Sequence, residues 1–297
     1  MKFEAIESQK IEYPVTVLCR VLDVSKSGYY EWRSAAERRR EREIREQQLV
    51  RTIEAIHLGS KNCYGSPRVT DRLSGLSGVD PVSESTVARR MRKHKIRSKL
   101  KRKFKVTTDS NHKLPVAPNH LMQDFTAYRP DQIWMSDITY VRTREGWIYI
   151  CGIIDLYSKK IVGWAASHRM TKELVITAYM RARQQRKPGR WLIFHSDRGS
   201  QYASRDFASL LRKHGVIQSM SRRGNCWDSA PIESFWARLK TECIYWEDFK
   251  SRQDALCVIS NWIENNYNVT RAHSALNYAT PAEVEQEFAL DSSSGKV

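Results

Sequence analysis

Three runs between residues 132 and 167, QIWMSDITYVRT, EGWIYICGIID and KKIVGWAAS, are rich in β-branched and aromatic residues and are parted by only a few charged or turn-forming positions. Connections that short join antiparallel neighbours, so the runs predict a meander. The period then changes. TKELVITAYMRARQQ predicts a helix that ends before Pro188 and Gly189, RWLIFHSD a short apolar strand, and SRDFASLLRKHG a helix stopped by its glycine. Strands followed by helix, strand and helix define an α/β domain around a mixed sheet, expected to span residues 119–290. An amphipathic helix over 229–242 and a long helix over 252–267 follow, and residues 291–297, which contain SSSG, are expected to be a disordered tail.

The first 120 residues read differently. PVTVLCRVLDVSKSGYYEWR predicts a helix over Val15–Leu22, a turn through Asp23 and Val24, and a second helix capped by Ser25, which is helix-turn-helix spacing. This module is placed at 1–36. AERRREREIREQQ reads as an exposed connecting helix with mixed-sign neighbours. A second helical module at 37–118, with helices near 44–58, 66–76 and 83–95, runs into TVARRMRKHKIRSKLKRKFK, which has eleven basic and no acidic residues. Like charges at helical spacing repel, and phosphates supply the missing negative charge. Arg89, Arg90, Arg92 and Lys93 in this run, with Lys26 at the start of the second helix of the first module, are therefore candidate DNA contacts. TTDSNHKLPVAPNH reads as a linker.

Charge supports a polyanionic partner. The chain carries 50 Lys and Arg against 33 Asp and Glu, a net +17, and residues 1–120 hold 26 of the basic against 14 of the acidic residues. A membrane partner is disfavoured, because the longest apolar run, WIYICGII, stops at Asp155 after eight residues, far short of the ~20 that a spanning helix needs. The N-terminus has no apolar core of a secretory signal, which makes the cytoplasm the expected location. Six separated cysteines without a CxxC pair suggest neither a disulfide framework nor a zinc ribbon.

Three carboxylates carry the chemistry. Asp137 lies in mid-strand, on the face of Ile133, Met135, Thr139 and Val141, where a charge is costly unless something neutralises it. Asp197 ends the strand WLIF at the turn-like DRGSQY. Glu233 and Lys240 fall together at one edge of the apolar stripe of the 229–242 helix, formed by Ile232, Phe235, Trp236, Leu239 and Cys243. Convergence of Asp137, Asp197 and Glu233 suits a pair of Mg²⁺ ions, which prefer oxygen ligands and clamp the attacking and leaving oxygens of a phosphodiester displacement. Lys240 then holds phosphate, and Trp236 fixes its helix against the sheet.

The motifs WMSDITYV, FHSDRGSQY and GNCWDSAPIESFWARLKTE, with thirty-five residues between Asp197 and Glu233 and a lysine seven beyond the glutamate, resemble those of the DDE transposases. More narrowly, they resemble the second-frame protein of elements grouped with insertion sequence 3, relatives of retroviral integrases. SKSGYYEW and NCYGSPRVTDRL resemble the family's N-terminal DNA-binding region, and IIDLYSKKIVGW its sheet. The resemblance implies an RNase H-like mixed-sheet catalytic domain preceded by all-α helix-turn-helix modules. It also implies Mg²⁺ dependence with Mn²⁺ able to substitute, cleavage of the 3′ strand at the element's ends, and attack of the freed 3′-OH on another phosphodiester. Asp137, Asp197 and Glu233 take the acidic positions and Lys240 the basic one, whereas Ser229 stands where the family usually has Asn. A homo-oligomer on DNA in the bacterial nucleoid is implied. The family's active form is usually a fusion whose upstream part adds a helix-turn-helix and a zipper; neither precedes Met1, so fusion to or association with an upstream-frame protein is expected. The alternatives are a plain RNase H-type nuclease and a catalytically inactive DNA-binding regulator.

Overall fold

The computed structural model describes residues 2–99, 114–222 and 226–293, and the chain separates into two units, Met1–Ser98 and Lys99–Val297. The first unit is helical: α1 (Lys2–Gln9), α2 (Val15–Val21), α3 (Lys26–Gly59), α4 (Ser66–Ser74) and α5 (Glu84–Lys93). The helix-turn-helix forms where its spacing places it. Asp23 adopts a left-handed conformation between α2 and α3, and the Ser25 hydroxyl caps α3 by accepting from Gly28 N at 2.9 Å. Ile6, Leu18, Cys19 and Tyr29 make one small core; Ile53, Val69, Leu73, Val87 and Met91 make another. Both draw on α3, which runs unbroken for 34 residues through the boundary expected at 36/37. Its middle is solvated and braced by Arg33–Glu37 and Glu41–Arg45 pairs one turn apart. Helix α1 was not anticipated.

The second unit is built on a five-stranded sheet in the order β3-β2-β1-β4-β5. Strands β1 (Ile133–Thr143), β2 (Gly146–Asp155) and β3 (Ile161–Ser167) form the expected antiparallel meander, and β4 (Ile193–Ser196) and β5 (Ile217–Met220) add on in parallel. This is the RNase H-like arrangement. Helices α6 (Lys172–Arg186) and α7 (Arg205–Lys213) supply the crossovers. With Trp134, Ile153, Val162, Phe194 and Phe207, they bury one face of the sheet. Gly163 permits that packing, since a Cβ there would meet the Ala182 Cβ at 2.5 Å and the Ala178 oxygen at 2.8 Å. Helices α8 (Ala230–Leu239) and α9 (Arg252–Asn261) cover the other face, over Ile133, Met135, Ile150 and Ile154. The chain closes with α10 (Pro281–Ser293).

Several expectations are corrected. Strand β5 was not foreseen. The helix expected over 252–267 is α9 followed by a π-helical turn, Trp262–Tyr267. Helix α10 reaches Ser293, three residues into the expected tail, and 294–297 lie outside the described residues. The linker's first part and the end of the basic run, residues 100–113, also lie outside them. Its last part is not a free linker: Leu114 and Ala117 pack on the sheet, and Pro118 O accepts from Met220 N at 3.3 Å. Among the described residues no helix is long and apolar enough to cross a membrane.

Candidate active site

The sheet register sets Asp137 beside Asp197. Strands β1 and β4 pair in parallel, with Met135 opposite His195 and Ser136 opposite Ser196, so the next residue on each strand is an aspartate. By two-residue alternation both aspartates follow Ile133, Met135 and Ile193 onto the face covered by α8, on backbones ~5 Å apart. Asp137 Oδ1 accepts from Ile138 N at 2.7 Å, and Asp197 Oδ1 accepts from Gly199 N at 2.9 Å. The DRGSQY turn thus spends one backbone N–H on its own aspartate. Gly199 O takes two more, from Tyr202 and Ala203.

Helix α8 reaches this point because of a glycine that sequence reasoning missed. Gly152 on β2 is the cross-strand partner of Asp137, and a Cβ on it would lie 2.9 and 3.0 Å from Cη2 and Cζ2 of Trp236. The indole lies where a side chain would otherwise stand, on the aspartate's own face of the sheet. Glu233 is three residues earlier on the same helix, one turn away. The helix start is held by Asp228, which is 1 % exposed and also went unremarked. It accepts from Asn119 Nδ2 at 3.0 Å, Gln123 Nε2 at 3.2 Å, and Arg222 N and Nη2 at 2.7 and 2.9 Å. These bonds, the Arg222 side chain foremost, hold its carboxyl down at about 2. At the other end α8 passes into a π-helical turn, Lys240–Ile244, anchored by a buried bidentate pair between Glu242 and Arg271 with contacts of 2.8 and 2.5 Å.

Electrostatics connects the four expected residues. Burial, then the Asp197 charge and then Glu233, push the Asp137 carboxyl up to about 7 against the pull of Ile138 N–H and Lys240. Partial shielding from solvent raises the Glu233 carboxyl although the residue as a whole is exposed, and burial lowers the Lys240 ammonium, the latter opposed by Asp137. Lys240 Nζ lies 5.5 Å from the Tyr140 ring centre. The pair of aspartates is adjacent, whereas Glu233 is solvent-exposed, and among the described residues no three His, Cys, Asp or Glu side chains stand as one group able to hold an ion. The donor set nevertheless suits a hard cation: it is all carboxylate, and the two aspartates crowd with only one lysine to offset them.

The candidate DNA contacts divide. Arg89, Arg92 and Lys93 are exposed along α5, and Lys26 is exposed at the start of α3. Arg90 turns inward instead, its Nε 2.5 Å from Glu46 of α3, because the helix phase that exposes its neighbours carries it towards α3.

Comparison with known proteins bears on the whole chain. Residues 127–226 and 214–281 match the integrase core domain family in two segments, and residues 43–104 match an HTH-like domain. The insertion element IS600 uncharacterized 31 kDa protein of Shigella sonnei is 42% identical over 271 residues, covering 91% of this chain and 98% of that one. The transposase InsF for insertion sequence IS3A of Escherichia coli (strain K12) is 41% identical over 287 residues, covering 97% of this chain and 99% of its own. Among solved structures, the catalytic core domain of BIV integrase aligns with 55% of this chain and 98% of its own, at 18% identity and a TM-score of 0.42.

Proposed function

The chain belongs to the insertion sequence 3 transposases with an integrase core domain, and from that membership we propose that its carboxylate site cuts the 3′ strand at an element's ends and joins the freed 3′-OH to a second phosphodiester. It is a DNA transposase, a polynucleotidyl transferase. The observation that carries the assignment of the site is the placement of Asp137 and Asp197 abreast on two parallel strands, with Glu233 and Lys240 acting on Asp137 from α8 and its π-helical turn.

In this reading Asp137, Asp197 and Glu233 hold two Mg²⁺ ions, with Mn²⁺ able to replace them. Such ions supply charge neutralisation and an activated oxygen at the phosphorus when bound. The protein's own groups do the rest. The ladder between β1 and β4 keeps the first two carboxylates in register. Glu233 would complete the ligand set from α8, where a cation would offset the repulsion among three like charges. Lys240 sets a phosphate oxygen against the cluster, and binding of that anion restores the proton affinity that burial takes from its ammonium. Trp236 and Asp228 fix α8 so that its carboxylate is held at one place beside the sheet. Residues 1–36 and 37–118 are read as DNA-binding modules and 119–290 as the catalytic domain. Work on two element ends calls for a homo-oligomer on DNA, in the nucleoid, together with an upstream-frame protein.

The test uses labelled element-end DNA, purified protein and Mg²⁺. Nicked and joined products are expected from the wild type and neither from Asp137→Asn, which still retains DNA. A variant that nicks at the wild-type rate would refute the site assignment. Nicking without any joining would favour the plain nuclease.

A further inference from the structure

We propose that the outer end of the β1–β2 hairpin is a stacking platform for unpaired nucleobases, placed to hold a single-stranded stretch of DNA that passes the open edge of β1, where Lys240 joins the platform to the carboxylate side. The proposal rests on the reading that DNA is acted on at Asp137. It goes further by naming the state of the DNA that the site receives.

Strand β4 accompanies β1 only as far as Ser136, so the hairpin continues beyond the parallel strands. There Tyr140 faces Tyr149 and Arg142 faces Trp147 across the ladder, on the face of the sheet opposite the one onto which Asp137 points; Lys240 touches Tyr140 where β1, no longer paired with β4, is an open edge. The Tyr140 and Trp147 rings meet edge to face, with centres 5.0 Å apart. The Arg142 guanidinium lies 5.9 Å from the indole centre, and Lys240 Nζ lies 5.5 Å from Tyr140 on its far side in this chain of contacts. Cation, indole, phenol and cation therefore follow one another, and the last cation is the one whose charge bears on Asp137.

Cross-strand packing accounts for the contact between the rings. It does not account for an indole left 43% exposed in a row with two cations. That composition is what single-stranded nucleic acid uses: phosphates meet the cations, and each base lays its face on a ring whatever its identity. Bases in a duplex have their faces covered by one another, so the platform selects unpaired ones.

The hairpin is also stiff. Arg252 donates from Nε to Trp147 O at 3.1 Å and from Nη2 to Glu145 O at 2.7 Å. Thr143 Oγ1 donates to Gly146 O at 2.8 Å, and Gly146 takes the positive φ of +112° that the turn demands. Little ordering is left to be done when a strand binds, which favours binding.

The test is fluorescence anisotropy with the full chain in chelator, using a labelled short oligothymidine, a duplex of the same length and an abasic strand of the same length. Trp147→Leu should bind oligothymidine about tenfold more weakly, within the range known for loss of one base–aromatic stack. It should bind the duplex and the abasic strand as the wild type does, and Trp147→Phe, which keeps a ring, should recover most of the loss. Equal binding of oligothymidine by wild type and Trp147→Leu would overturn the proposal. So would an equal loss on the abasic strand, which would assign the effect to the backbone charge or to the fold. Because cutting plays no part in this measurement, its failure is separable from failure of the nicking and joining assay.

Discussion

Replacing Asp137 with Asn should inactivate the enzyme and at the same time stabilise its fold. Burial and then the neighbouring Asp197 hold the Asp137 carboxyl at about 7 against an ordinary 3.8. Between those values the folded protein keeps a proton that the unfolded chain has lost, so stability falls as pH rises from about 4 to about 7. At full strength the displacement corresponds to about 4 kcal/mol above that window. Asp137 keeps some contact with solvent, and screening brings the figure to roughly 2 kcal/mol. Asn has the same shape and keeps an oxygen able to accept from Ile138 N, as Asp137 does at 2.7 Å, but never ionises. In a catalytic unit of this size the gain is a rise in melting temperature of roughly 4–8 °C. Thermal denaturation in chelator at pH 8 and pH 4 reads it: the variant should melt higher at pH 8, with the advantage shrinking by more than half at pH 4. Millimolar Mg²⁺ should then raise the wild type through binding to the folded state and leave the variant where it was. An Asn variant no more stable than the wild type at pH 8, or a gain indifferent to pH, would refute the reasoning.

Three further outcomes are expected. Gly152→Ala places a methyl group 2.9 Å from Trp236 and should cost ~1–3 kcal/mol of stability while slowing nicking, as measured by denaturant unfolding and product gels, because α8 must retreat from Asp137. Asp228→Ala leaves four donors from Asn119, Gln123 and Arg222 without their acceptor and should destabilise by ~1–3 kcal/mol; the loss of nicking should exceed the loss of DNA retention on filters. Neutralising Arg89, Arg92 and Lys93 should flatten the dependence of log affinity on log salt by about one per contact removed, whereas Arg90→Gln should leave the slope alone and cost up to about 1 kcal/mol through its pair with Glu46.

The parts of the fold that were legible in the sequence are those whose pattern repeats. Alternation across 132–167 and helical spacing in 171–185 and 204–215 each persist long enough to outweigh chance, and Ser25 carries cap chemistry that needs no tertiary context. Strand β5 is four residues, IQSM, too short for any period; it exists because β4 offers a free parallel edge. The π-helical turns leave no composition signal, since their extra residue is absorbed by packing and, at Glu242, by the pair with Arg271. Within the site, the three acids and Lys240 showed as charges out of place on apolar elements. Gly152 did not, because a glycine in a strand is informative only once its cross-strand partner and the helix above it are known. Asp228 read as one more acid near a helix start, and Arg90 as one more base in a basic run. What distinguishes each of these residues is a contact from a distant part of the chain.

The site uses two different means of placing charge, and they have different tolerances. The register between β1 and β4 fixes Asp137 against Asp197 through backbone hydrogen bonds; a slip of one residue would send an aspartate to the opposite face, so the pair is either right or absent. Glu233 and Lys240 ride on a helix whose position depends on an indole over a glycine, a carboxylate hub at one end and a π-helical turn at the other, and small changes in packing displace them by degrees. The charges themselves are held in unfavourable forms. Burial raises the carboxyl of Asp137 and depresses the ammonium of Lys240, and partial shielding raises the carboxyl of Glu233. A divalent cation favours the ionised carboxylates, and a phosphate favours the protonated lysine. Because a bound cation and a bound phosphate attract each other, their binding would be mutually reinforcing in free energy. Setting one carboxylate and the lysine on a helix that is itself packed against the sheet makes the site's completeness depend on that packing as well as on register, so a change remote from the aspartates, at Gly152 or Asp228, should impair the chemistry while leaving the aspartate pair in place.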